Sequence, residues 1–284
     1  MNREWQTVVE QGARELRAAG IERAYREASR LWFGVSGQEL PYWILYSGSP
    51  PPALVEEYRK AIRRRSGREP FHYIVGMREF MGLNFHVDSR VLIPRPETEK
   101  LVERILADAG AKKDLVIVDV GTGSGAIAIS LAYLGDPTWR VIATDVSEDA
   151  LKVAQLNCGH LLKKRQIHFV QGDLLRGISQ PVDIVAANLP YVAEDDREVC
   201  SPEVAYEPRI ALYASEGGLN TIVRLINQLP VRLTDGGRVY LEVGMGQAER
   251  VERCLTAQGM TILPRTRDLA GIERVIAAQK PQEQ

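Results

Sequence analysis

The feature that most restricts the fold is an alternation of short apolar runs and helical segments that begins at residue 114. LVIVDV has the character of a short buried strand ending in Asp119, and GAIAISLAYLG follows as a helix. WRVIATDV is a second strand, ending at Asp145. SEDALKVAQLNCGHL is the next helix, with Ser147 placed to cap it and Glu148 and Asp149 in its first turn. QIHFVQGD supplies a third strand that ends near Asp173, VDIVAAN a fourth and RVYLEVG a fifth. GGLNTIVRLINQL and QAERVERCLTAQG are further helices. TILPRTRD and RVIAAQK are expected to close the array as two strands around a turn at Gly271. Parallel strands need crossovers long enough to hold a helix, so the spacing predicts an α/β fold: a doubly wound, Rossmann-like, mostly parallel seven-stranded sheet.

The chain upstream differs in kind. Trp5, Val8, Val9, Gly12 and Leu16 recur at helical spacing and Gly20 is a stop. A second helix fits IERAYREASRLWFG, ending near Gly34. SGSPPP punctuates, and a third helix fits ALVEEYRKAIRRRSG with Gly67 as its C-cap. Arg63, Arg64, Arg65 and Arg68 crowd its end, either as a solvated complement to the helix dipole or as a patch for a partner. FHYIVGMREFMGLNFHVDSRVLIP is rich in β-branched and aromatic residues broken by Gly76 and Gly82, and reads as a β-hairpin. A helix then opens at PRPETEKLVERILADAG, where Thr98 is placed to act as N-cap and Leu101, Val102 and Ile105 make the apolar stripe. The expected domains are therefore a small N-terminal helical domain over 1–70, a hairpin linker over 71–93 and the α/β domain over 94–284.

Composition narrows the function. A formal net charge of −1 over 284 residues gives no global field toward nucleic acid or an anionic membrane. Cys158, Cys200 and Cys254 are far apart and form no CxxC pair, as expected of reduced thiols in a cytoplasmic protein. His72, His86, His160 and His168 lack metal-ligand spacing, so no metal is expected. The first twenty residues are charged throughout, unlike a signal peptide, and no run of 18 apolar residues occurs.

VDVGTGSGAIA joins the first strand to its helix. Gly121, Gly123 and Gly125, with Thr122 and Ser124 between them, allow a tight turn and close approach of backbone N–H groups to a ligand at a helix N-terminus. The loop also fits the dinucleotide fingerprint GxGxxA, with Asp145 near the position of its ribose acid, so a nicotinamide oxidoreductase is a competing reading. Three acids on successive strand tips favour S-adenosylmethionine (SAM). Asp119 suits an amino-acid ammonium, Asp145 both ribose hydroxyls, and Asp173 the adenine edge.

The fourth strand ends in NLPY, Asn188 to Tyr191. Methyl transfer requires a nitrogen lone pair aligned with the S–C bond, yet an amide or a base amine delocalises that pair. Two acceptors aimed at the two N–H bonds favour pyramidal nitrogen and stabilise the charge that develops. Asn188 Oδ1 supplies one and the Leu189 carbonyl the other. Pro190 biases Leu189 to extended backbone and has no N–H to compete. Tyr191 is expected to stack on the planar acceptor. Asn188 would face the SAM methyl, because strand four neighbours strand one in this fold.

GMREFMGLNFHVDSRVLIPRPETEKLVE, DVGTGSGAIAISLA, NLPYV, YEPRIALYASEGGLN and LEVGMGQ occur in the order found in the HemK/PrmC family, and the chain resembles that family over about residues 70 to 276. These are release factor glutamine N5-methyltransferases. The resemblance implies a SAM-dependent enzyme that methylates the glutamine of the GGQ motif in class 1 peptide chain release factors; with the near-neutral charge, no direct binding to nucleic acid or membrane is expected. It implies that Gly121 to Gly125 and Asp145 bind SAM, that Asn188 to Tyr191 hold the glutamine amide, and that Leu174 rests against adenine. The helical domain would dock the release factor, and the loop from Val192 to Glu216 would shape the glutamine pocket. The family usually has NPPY. Leu189 departs from it, removes one locked φ, and is expected to loosen the positioning. NLPY also resembles the tetrad of rRNA adenine N6-dimethyltransferases, so an rRNA or DNA adenine N6-methyltransferase is the alternative. A SAM-binding module without catalysis is a further one, against which the intact tetrad stands.

Overall fold

In the computed structural model, which describes residues 4–163, 166–199 and 201–282, residues 1–77 and 201–206 form a helical unit, and 78–200 with 207–284 a larger α/β unit. Cys200 lies outside the described residues; Cys158 and Cys254 are free thiols.

The helical unit is built from α1 (Glu4–Ala18), α2 (Ala24–Ser36), α3 (Leu40–Leu45), α4 (Pro52–Ser66) and α5 (Phe71–Val75). Its core collects Trp5, Leu16, Leu31, Trp32, Trp43, Tyr58 and Ile62, with Trp32 edge-on to Trp43 at 4.8 Å between centroids. Gly12 permits the approach of α1 to α4, since a Cβ there would lie 2.3 Å from Tyr58 Oη. Gly34 does not end α2. A Cβ on it would meet Val75 Cγ1 at 2.6 Å, and the helix runs on to a left-handed Gly37. Gly67 sits at the C-cap of α4 with φ −75°, and the left-handed step falls on Arg68. The arginine cluster is ion-paired: Arg63 with Glu56, Arg64 with Glu69, Arg65 with Glu27 and Glu203, Arg68 with Glu203. The hairpin is narrower than its β-rich sequence suggests. Phe71, Ile74 and Val75, at helical spacing, pack on the helical core, so Phe71–Val75 is helix rather than strand.

The α/β unit opens with the hairpin of β1 (Met77–Phe80) and β2 (Leu83–His86), turned by Met81 and Gly82, both with positive φ. Then follow α6 (Glu99–Ala109), β3 (Val116–Val120), α7 (Ala126–Leu134), β4 (Arg140–Asp145), α8 (Glu148–Leu161), β5 (His168–Gln171) and β6 (Val182–Ala187). Ser147 caps α8 as its sequence predicts, accepting from Ala150 N at 3.2 Å. Beyond the loop, β7 (Val192–Ala193) pairs in parallel with β8 (Tyr213–Ala214), flanked by α9 (Arg209–Leu212) and α10 (Ser215–Gly218). The unit ends with α11 (Asn220–Ile226), β9 (Leu233–Glu242), α12 (Ala248–Ala257), β10 (Thr261–Ile262), β11 (Thr266–Arg267) and β12 (Glu273–Gln279).

The main sheet runs β10-β12-β9-β6-β3-β4-β5, with β12 antiparallel to β9 and the strands from β9 to β5 parallel. TILPRTRD is not one strand. Pro264 cannot donate to a ladder, and the segment pairs with β12 as two short pieces, β10 and β11. Every residue of β3 is buried, because helices cover both faces. Leucines and isoleucines of α11 and α12 fill one side; those of α6 and α7 fill the other.

Candidate active site

Val120 of β3 is in register with Ala187 of β6, so the glycine loop and Asn188 leave the sheet side by side. The loop is pinned from the neighbouring strand, with Gly121 N and Thr122 N both donating to Thr144 O. Gly121, Gly123 and Gly125 all have positive φ. A Cβ on Gly125 would lie 2.8 Å from Ile129 Cδ1 and 3.2 Å from Ala154 Cβ, whereas one on Gly123 would meet no atom within 4 Å. Gly125 serves packing; Gly123 borders open space.

That space is a cavity of about 290 Å³ beyond the carboxyl ends of the parallel strands. Gly121 to Ser124, Asp145, Asp173, Leu174, Asn188, Leu189 and Pro190 line it. So do Arg95, Thr98 and Arg224, together with Pro208, Ile210 and Tyr213 from the loop. Glu207 anchors this loop from a buried position, accepting from Ile93 N at 3.1 Å and from Arg95 at 2.6 Å. Segment 201–206 belongs instead to the helical unit, where Glu203 pairs with Arg65 and Tyr206 Oη donates to Gly67 O.

The three acids differ. Asp145 ends β4 as expected; its oxygens accept from Gly123 N and Ser147 N, both at 2.9 Å, and burial raises its pKa. Asp119 lies inside β3 and is fully buried rather than lining the cavity. Its Oδ2 accepts from Thr122 Oγ1 at 2.6 Å and Ala128 N at 3.1 Å, while Oδ1 has no partner, and burial pushes the carboxyl up to about 7. Asp173 falls two residues beyond β5, which stops at Gln171. It pairs with Arg224 at 2.5 Å and Arg176 at 3.4 Å, so its carboxylate is shared with cations before any ligand arrives. Leu174, next to it, is buried with φ +59°, a conformation that strains a leucine.

Residues 7–76 match the PrmC N-terminal domain family and residues 117–205 a methyltransferase domain family. A release factor glutamine methyltransferase of Lactococcus lactis is 44% identical over 67% of this chain and 69% of its own length. One of Cereibacter sphaeroides is 35% identical over 94% of this chain and 95% of its own. The chain belongs to the release factor glutamine methyltransferase family. It is a SAM-dependent methyltransferase with the α/β fold of that class. A T. thermophilus 16S rRNA N2 G1207 methyltransferase, solved with AdoMet and guanosine, shares that fold at TM-score 0.53 and 17% identity, over 72% of this chain and 49% of the other.

One residue of the NLPY motif of this methyltransferase sits otherwise than its sequence suggests. Tyr191 does not line the cavity. A buried phenol needs a polar partner, and the ring turns away beside Gly244 so that Oη donates to Glu242 Oε1 at 3.4 Å. Burial raises its pKa. The Tyr191 carbonyl accepts from Gln247 Nε2 at 2.9 Å, and the Cβ position of Gly218 lies 2.0 Å from that carbonyl oxygen, room only a glycine leaves. Leu189 is 4% exposed and joins the core, its Cδ2 set against Gly121. Thr98 occupies the N-cap position of α6 without capping it. Its side chain makes no capping bond; instead Oγ1 accepts from Asn188 Nδ2 at 2.9 Å. Thr98 and Glu242, which touch Asn188 and Tyr191, are neighbours of the motif that its sequence does not reveal. Glu242 offered one signal, an acid inside the apolar run VYLEVG.

Proposed function

We propose that this enzyme transfers the methyl group of SAM to N5 of the glutamine in the GGQ loop of class 1 release factors, with Asn188 and Leu189 holding the glutamine amide. The observation that carries the reading is the register of β6 beside β3, which sets the Asn188–Pro190 wall against the glycine loop on one cavity.

The residues present suit SAM. The open face of Gly123 leaves space for its amino-acid end, and the unpartnered Asp119 Oδ1 is a buried acceptor in want of a donor. Thr122 and Ser124 line the cavity beside that glycine, and Gly125 sets the start of α7. Asp145 keeps lone pairs for ribose hydroxyls, while Leu174 and Asp173 offer an apolar wall and an acid to adenine. When bound, SAM supplies an electrophilic methyl on a sulfonium.

Asn188 Oδ1 and the Leu189 carbonyl accept the two N–H bonds of the glutamine amide, which draws its nitrogen toward pyramidal geometry and turns the lone pair to the methyl. Pro190 holds Leu189 extended so that its carbonyl keeps that aim. Tyr191 works from behind the pocket, anchoring the motif on Glu242 rather than stacking on substrate. No strong base is required, since the methylated nitrogen loses its proton readily to water. The loop residues Pro208, Ile210 and Tyr213 wall the glutamine side. The helical unit, matched to the PrmC N-terminal domain, docks the release factor, and the enzyme works in the cytoplasm.

Labelled SAM and purified release factor test the reading. Label is expected on the GGQ peptide, and Asn188→Ala should lower turnover by at least about a hundredfold while SAM still binds by calorimetry. Label on RNA or DNA with none on release factor would select the adenine-methylating alternative instead.

A further inference from the structure

We propose that Thr98 and Glu242 are positioning residues that decide which way round the Asn188 amide sits, so that Oδ1 rather than Nδ2 meets the substrate nitrogen. This rests on the reading of Asn188 given above.

A carboxamide is nearly symmetric in shape and opposite in hydrogen-bond character at its two ends. Catalysis needs the acceptor end in the cavity; turned over, Asn188 would point N–H groups at N–H groups. Nδ2 lies 2.9 Å from Thr98 Oγ1. A hydroxyl alone would tolerate either orientation, because it both donates and accepts. Glu242 removes the ambiguity. It ends β9, is 1% exposed, and its carboxylate is within reach of the Thr98 hydroxyl. An ionised carboxylate only accepts, so the hydroxyl hydrogen is committed to Glu242. What Thr98 has left for Asn188 is a lone pair, and only the NH₂ end can use it.

The groups facing Glu242 agree with this polarity. Tyr191 Oη donates to Oε1 at 3.4 Å, so both ends of the motif, Asn188 through Thr98 and Tyr191 directly, lean on one carboxylate. Arg274 favours the anion and Glu97 opposes it. Oε2 has no hydrogen-bond partner among the described residues, so the carboxylate keeps acceptor capacity for the Thr98 hydroxyl. Burial raises the carboxyl's pKa, so the anion gains on the acid as pH rises and the test is set at alkaline pH. Thr98 itself is 4% exposed and lines the cavity, a costly place for a hydroxyl that served no partner.

The test is steady-state methylation of release factor at pH 8 by Thr98→Val, Thr98→Ser, Glu242→Gln and Asn188→Ala, with melting temperature and SAM affinity measured for each. Thr98→Val keeps the shape and removes the acceptor. Its kcat should fall roughly ten- to hundredfold with KM for release factor and Kd for SAM little changed. Thr98→Ser should restore most of the loss, because it returns the hydroxyl without the methyl. Glu242→Gln should lower kcat like Thr98→Val, since an amide can donate to Thr98 and reverse the relay; it carries the test if Thr98→Val fails to fold. The proposal is overturned if Thr98→Val and a folded Glu242→Gln both turn over within about twofold of wild type while Asn188→Ala is inactive, or if Thr98→Ser is as impaired as Thr98→Val. Wild-type turnover by Asn188→Ala would sink the underlying reading, and this proposal with it.

Discussion

Leu189 departs from the NPPY pattern that the family resemblance leads one to expect, and the structure shows what restrains the residue in place of the ring. The side chain is buried in the core and touches the glycine loop at Gly121, so packing restrains the residue that φ no longer locks. The looser positioning expected from sequence is opposed by that contact. Leu189→Ala should therefore cost roughly 2–4 kcal/mol, visible as a lower urea midpoint, and should also weaken SAM binding by slackening the turn at Gly121. An unchanged midpoint would mean that the site collapses around the missing methyls. At this scale the sequence was an uneven guide. The place of Asn188 at the cavity was legible, because an amide at the end of an apolar run asks for a chemical reason. Thr98 was not: a threonine before a helix reads as a cap, and its partner is 90 residues away. Tyr191 was misread for a related reason, since nothing local reveals that Glu242, 51 residues on, takes its hydroxyl.

Among the elements, strands and helices of the α/β unit followed from periodicity because burial on both faces of a parallel sheet leaves a continuous apolar run for each strand. Ends were less legible. Gly34 resembles a stop yet is a point of close approach, and Phe71–Val75 has strand-like composition but helical burial. The glycine loop separates two roles that its sequence merges. Gly123→Ala points a methyl into the cavity; SAM affinity should fall at least about tenfold, while stability changes by no more than the roughly 1–2 kcal/mol of a left-handed alanine. Gly125→Ala drives its methyl into Ile129 and Ala154, and should cost about 1–3 kcal/mol in addition to its backbone strain. Calorimetric SAM titration beside thermal melting would separate the two; equal effects of both substitutions on both readouts would contradict the division.

For the molecule as a whole, buried carboxyls set how stability varies with pH. Burial holds Asp119 and Glu242 up to about 7 in the folded chain, well above the values near 4 of an unfolded one. Between those limits the native state keeps protons that the unfolded state has released. Stability should thus fall as pH rises from about 4 to 7 and level off above, by on the order of 3–4 kcal/mol for each group at full effect. Asp88, held low by Arg90, works in the opposite sense, but only at more acid pH. Melting temperatures of the ligand-free enzyme at pH 5 and pH 7.5 should show the decline, and Glu242→Gln should flatten it; an equally steep decline in that variant would exclude Glu242 as a source.

The assignment of 201–206 to the helical unit bears on how this enzyme can be taken apart. The polypeptide departs from the larger unit midway, lends six residues to the smaller one, and returns, so no single scission yields two self-sufficient halves. A fragment beginning at residue 78 would carry Glu203 stripped of Arg65 and Arg68, and Tyr206 stripped of Gly67. Weak activity in such a fragment would report a tether come undone as much as a lost recognition module.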